Sequence, residues 1–153
     1  MKSFAAFESR TIVRATLVMD TALSVGARLS AEPVGTDAPV MRDGHDRPFV
    51  PGSSIKGLLR AEAEGWLRAL PATAGLRACD PLGKPCVPRQ TRDELAREAQ
   101  GDEERLSAAL WDRSCTVCRL FGSPWLASRL LFRDAPLRNA DRLAVVTQIR
   151  DGV

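Results

Sequence analysis

Four cysteines in the 153-residue chain fall into two pairs, Cys79 with Cys86 and Cys115 with Cys118. Cys115-Thr-Val-Cys118 is a chelating spacing, because two thiolates separated by two residues can reach one ion from a tight turn. Cys79-Asp-Pro-Leu-Gly-Lys-Pro-Cys86 is a looser, turn-rich knuckle. Together they supply four thiolates, enough for a closed tetrahedral zinc site, and a site with no open position is structural. Three other fates compete. Two disulfides would need an oxidising compartment, a redox pair at Cys115 and Cys118 would want a thioredoxin-like helix start, and all four could be buried as small hydrophobes. The spacing favours zinc. His45, in a polar Gly44-His45-Asp46 turn, lies far from the pairs and reads as solvated.

A second candidate site is the stretch Pro51-Gly52-Ser53-Ser54-Ile55-Lys56-Gly57-Leu58-Leu59-Arg60. It places a glycine, two hydroxyls and a lysine where a helix begins. Free amides and the positive end of the helix dipole attract phosphate there. Lys56 and Arg60, four residues apart, share a face. The spacing is not that of a Walker P-loop. A plain capped helix with solvated Lys56 and Arg60 is the competing reading.

These residues need elements to hold them. Ile55, Leu58, Leu59, Trp66, Leu67 and Leu70 recur as one buried helical stripe, so a helix is predicted over Ser53–Leu70, capped by Ser53 or Ser54 and ended by Pro71. Thr11–Met19, rich in β-branched residues, reads as a strand, as does Arg129–Arg133. Between them, Gly26–Pro51 is a loop too long to be a simple connector. Arg92–Trp111 is a second amphipathic helix weakened by Gly101, Cys115–Pro124 a turn region, and Arg142–Val153 a last extended segment. Strand, long loop, helix, insert and strand make an α+β domain.

Composition narrows the class. Hydrophobic residues make up 44% and charged residues 27%, which excludes a disordered tail or a fibre. No run approaches a bilayer span of about 18 to 20 apolar residues. Glu8 and Arg10 interrupt the N-terminus before any signal-peptide core, so a cytoplasmic protein is expected. The chain has 19 Arg but 3 Lys. From Arg92 to Asp112 there are 3 Arg against 7 acids, and from Arg113 to Arg150 there are 7 Arg against 2 acids. Base composition explains Arg richness in general; the segregation points to one face built for a polyanion.

The helix-start segment resembles the hallmark of the RAMP superfamily, specifically the backbone subunits of type III CRISPR effector complexes. Three more segments resemble that family in order. They are Thr36-Asp37-Ala38-Pro39-Val40-Met41-Arg42-Asp43, Cys118-Arg119-Leu120-Phe121-Gly122-Ser123 and Gln148-Ile149-Arg150-Asp151-Gly152-Val153. The resemblance implies a ferredoxin-like, RRM-related core, with residues 1–70 its first part, 71–118 a zinc-binding insert and 119–153 a return to the core. It implies guide-RNA contact through Gly52, Ser53, Ser54, Lys56 and Arg60. It also implies a loop aspartate, Asp37, that supports magnesium-dependent cleavage of target RNA inside an assembled complex. Asp37 before Ala38-Pro39 also suits an Asx-turn, while Asp43 and Asp46 read as turn residues. Cys118 would dock the zinc insert on the core, with Leu120 and Phe121 buried. The family's pattern is cut at Val153 before its sheet is complete, so partner subunits are expected beside guide and target RNA. A non-catalytic RNA-binding scaffold and a zinc-stabilised protein-interaction module are the other readings.

Overall fold

The computed structural model describes residues 9–21, 23, 25, 26 and 40–138. It contains a two-residue strand β1 (Phe49–Val50), a long helix α1 (Gly52–Ala69) and a short 3-10 turn at Ala72–Ala74. Helices α2 (Arg89–Ala99), α3 (Glu103–Arg113) and α4 (Thr116–Phe121) follow, then strand β2 (Ala135–Pro136). Mixed helix and strand make this an α+β chain. Two compact units divide it: residues 9–12 with Lys56–Leu131, and the described residues of 13–55 with 132–138.

In the larger unit, α2 and α3 form an antiparallel hairpin. Gln100 and Gly101 both adopt positive φ, 52° and 88°, so the predicted single helix breaks into two at the glycine. Asp102 then caps α3 by accepting the Arg105 amide at 3.0 Å, and Glu103 and Glu104 suit the positive end of its dipole. Val87, Leu95 and Leu110 form the core between the helices, with Cys86, Leu106, Ala109, Trp125 and Leu126 packed around it. The Trp125 indole donates to the Val87 carbonyl at 2.8 Å and closes the base of the hairpin. Cys115–Pro124 is more ordered than a turn, since α4 occupies most of it.

In the smaller unit, β1 and β2 pair antiparallel, Phe49 with Pro136 and Val50 with Ala135. Arg42 and Pro48 bridge across a turn that Asp43 organises, its carboxylate accepting the His45 and Arg47 amides at 2.9 and 3.0 Å. Asp43 is a turn residue.

Several expected features differ. Thr11–Met19 joins no ladder among the described residues, and Val13 and Val18 are 83% and 79% exposed. Strand propensity expresses itself only against a neighbour, and the described residues supply none. Arg129–Arg133 is likewise outside any ladder, with pairing delayed to Ala135. Most of the stripe on α1 is exposed, Leu58 and Trp66 at 62% and 73%, and only Ile55 and Leu67 are half-buried. What α1 turns partly inward in the larger unit is mixed: Arg60 and Glu64 are half-buried beside Ala63 and Leu67. Leu120 is exposed too, whereas its neighbour Phe121 is buried. The expected extended segment at Arg142–Val153 lies outside the described residues.

Candidate metal centre and helix start

The sequence places Cys79 and Cys86 before the α2–α3 hairpin and Cys115 and Cys118 after it. Folding the hairpin back on itself therefore brings both pairs to its base. The four Sγ atoms all lie within 4.8 Å of one another. Cys79 Sγ and Cys118 Sγ are 3.7 Å apart, and all four cysteines are free thiols rather than disulfides. Ligands about 2.3 Å from a tetrahedral zinc sit about 3.8 Å from each other, so the cluster has the size such an ion needs. These four cysteines could hold a metal ion. Cys115 and Cys118 are buried, Cys79 and Cys86 half-buried.

Local structure fixes each thiol. Cys115 caps α4, its sulfur accepting the Cys118 amide at 3.5 Å. Asp80 closes the other knuckle: its carbonyl accepts the Lys84 amide at 3.0 Å and its carboxylate the Leu82 amide at 3.1 Å. A Cβ at Gly83 would press on that carboxylate, so a larger residue there would push the Asp80 side chain aside. The two knuckles are stitched together by Thr116, whose amide donates to the Arg77 carbonyl at 2.9 Å while its hydroxyl accepts the Arg77 amide at 3.1 Å.

The thiols influence one another strongly. The Cys118 sulfhydryl and amide, both directed at Cys115, favour the Cys115 thiolate and pull its pKa down. The hydrogen bond with Cys115, reinforced by burial, pushes the Cys118 thiol up. Burial raises Cys79 as well. Such a cluster cannot be fully ionised without a cation, which is what a metal supplies.

The helix start is differently furnished from the sequence expectation. Gly52, not a serine, begins α1, and its amide donates to the Asp134 carboxylate at 2.8 Å. A Cβ there would stand 2.5 Å from the Phe132 carbonyl oxygen, so close approach of two backbones requires glycine at 52. The Ser54 amide turns back to the Pro51 carbonyl at 3.0 Å. Ser53 and Ser54 are exposed and Lys56 half-buried. Arg60 is committed elsewhere, to Glu64 at 2.8 Å, the Gly122 carbonyl at 2.9 Å and Cys118 Sγ at 3.7 Å.

Sequence reasoning did not single out Glu64, Arg68, Asp134, Arg119 or Trp125. The four-residue steps from Arg60 to Glu64 to Arg68 were a usable signal. Nothing in the sequence links Gly52 to Asp134, 82 positions away. Arg119 donates to the Trp111 and Asp112 carbonyls at 2.9 and 3.1 Å, and it stacks with Arg129 on the Trp111 ring. Asp37 lies outside the described residues.

Among the described residues no helix is long and apolar enough to cross a membrane. In comparison with known families, the profile of the RAMP superfamily matches residues 8–147. No curated protein matches the chain.

Proposed function

The chain belongs to the RAMP superfamily, and from that premise we propose that it is a guide-RNA-binding backbone component of a type III CRISPR ribonucleoprotein. The observation that carries the reading is the cluster of four sulfurs within 4.8 Å, set inside a chain matched over nearly its full length. The metal is zinc, and its role is structural: it holds the base of the α2–α3 insert. All-thiolate, tetrahedral donor sets suit that ion, and a closed set leaves no position for substrate.

The guide RNA runs past the start of α1, where Ser53, Ser54 and Lys56 face it. Their hydroxyls and ammonium are donors suited to phosphate oxygens, which carry position but no sequence information. Gly52 lets that turn pack closely, with its amide already taken by Asp134. The core to which this helix belongs is ferredoxin-like. Asp37 contributes to cleavage of target RNA in the assembled cytoplasmic complex. Its carboxylate orients the attacking 2′-hydroxyl or holds a divalent ion; magnesium, when bound, would supply charge neutralisation at the reacting phosphate.

Three measurements test this reading. Elemental analysis of the purified chain is expected to give one zinc per chain, and a value near zero removes the structural ion. Single-stranded RNA binding is expected to fall steeply with salt and to weaken in Lys56→Ala. Affinity indifferent to both rules out the RNA role. In the reconstituted complex, Asp37→Ala is expected to abolish target cleavage while leaving guide loading intact. Retention of every cleavage product leaves a non-catalytic scaffold.

A further inference from the structure

The charged face of α1 ends on the cysteine cluster. Arg60, Glu64 and Arg68 occupy successive turns, and Glu64 gives one carboxylate oxygen to each arginine, at 2.8 Å to Arg60 and 3.0 Å to Arg68. From there both guanidinium groups reach the cluster. Arg60 Nη2 points at Cys118 Sγ at 3.7 Å, and its Nη1 donates to the carbonyl of Gly122, the residue that ends α4. Arg68 Nη2 donates to the Cys79 carbonyl at 3.1 Å. One ligand from each knuckle is thus contacted from a single helix. The Glu64 and Arg60 side chains are only 12% and 25% exposed, so this part of the ladder is drawn out of water, while Arg68 lies at its more exposed end.

We propose that Arg60, Glu64 and Arg68 are positioning residues of the metal centre, coupling its occupancy to the order of α1. The proposal rests on the reading that the four cysteines hold zinc. A divalent ion with four thiolates carries a net charge of about −2. Guanidinium N–H groups directed at a ligating sulfur and at a ligand's own carbonyl offset that charge and fix the ligands' orientation. Interactions of this outer kind typically govern metal affinity by about 10- to 100-fold. The same bonds, read from the other side, hold the middle of α1. Loss of the ion leaves the thiols free to rearrange and removes the acceptor geometry that the two arginines need. This assignment also explains why Arg60, on the face shared with Lys56, is turned away from solvent: each of its three guanidinium nitrogens already donates within the chain.

The test measures metal affinity and helix order in the full chain. Zinc affinity is read by competition with a chromophoric chelator, and thiolate coordination by the charge-transfer band of the cobalt-substituted protein. Arg60→Ala is expected to weaken zinc about 10- to 100-fold. Arg60→Lys, which keeps the charge but not the three-way donor set, should recover only part of that affinity. Arg68→Ala, at a more exposed position, provides the same comparison where Arg60→Ala does not fold. In wild type, amides of residues 60–69 should exchange more slowly with zinc than without, and the variants should lose that difference. Wild-type zinc affinity and an unchanged exchange difference in both alanine variants overturn the proposal while leaving the zinc site standing. Weakened RNA binding in Arg60→Ala with metal affinity untouched also overturns it, because Arg60 then serves RNA. A wild-type chain that binds no metal removes the zinc reading and this coupling together.

Discussion

Glycine at position 52 and aspartate at position 134 act as a matched pair, one giving up its side chain so that the other can reach the backbone. A methyl group at 52 would meet the Phe132 carbonyl oxygen at 2.5 Å, a distance no side chain tolerates. Gly52→Ala is therefore expected to destabilise the chain by about 1–3 kcal/mol, the usual cost of overpacking, read as a lower urea midpoint. Asp134→Ala should cost about 1 kcal/mol, as for a lost helix cap. Asp43 offers a pH-dependent test. The Arg47 amide and side chain together hold its carboxyl near 2, below the ordinary 3.8. A depressed pKa means that the charged form is favoured by folding, so its contribution is complete above about 3.8 and is lost as pH falls toward 2. NMR titration should place the Asp43 carboxyl near 2 and show the His45 and Arg47 amides losing protection across that interval. A midpoint near 3.8 would show that the turn does not depend on the ionised group.

Among the elements, the helical hairpin and the exposed stripe of α1 invite opposite expectations. Leu110 is 6% exposed between α2 and α3, so Leu110→Ala should cost about 2–5 kcal/mol. Trp66, at 73% exposed, should tolerate alanine within about 0.5 kcal/mol despite its size. Comparable losses in thermal unfolding would mean that the α1 stripe is covered in solution. The contrast also marks what the sequence made legible. Helices rest on local hydrogen bonds, and α1 was readable to within a residue at each end. Its apolar stripe was read correctly as a pattern but not as burial, because periodicity states which residues share a face and not what that face meets. The strands failed for the related reason that a strand exists only with its neighbour. Cys115 and Cys118 were readable because only two residues separate the chelating pair. The Asp134 cap joins residues 82 positions apart and leaves no local trace.

Across the molecule, the buried core of the described residues and the cysteine centre adjoin and share side chains. Among the described residues the buried hydrophobics are Val87, Leu95, Ala99, Leu110, Cys115, Val117, Cys118 and Phe121. Two of these eight are members of the cluster, and Val117 lies between them while Phe121 completes the same short helix. Of the other four, Val87, Leu95 and Leu110 pack together as the hairpin's own core, with Cys86 against them, and Ala99 is buried near the end of α2. A core this small depends on whatever closes its base, because the backbone entropy of two helices and two knuckles must be offset by few apolar contacts. An ion held by four thiolates can supply that closure, since its binding energy is folding energy wherever the site is absent from the unfolded chain. Removing it with a strong chelator under reducing conditions should therefore lower the melting temperature and release the α2 and α3 amides together, not one helix at a time. Zinc added back should restore both, whereas magnesium, a hard ion that prefers oxygen ligands, should restore neither. If α2 and α3 keep their protection after the chelator has taken the metal, the apolar contacts of the hairpin suffice by themselves. The cysteine centre would then orient the insert without being needed to fold it.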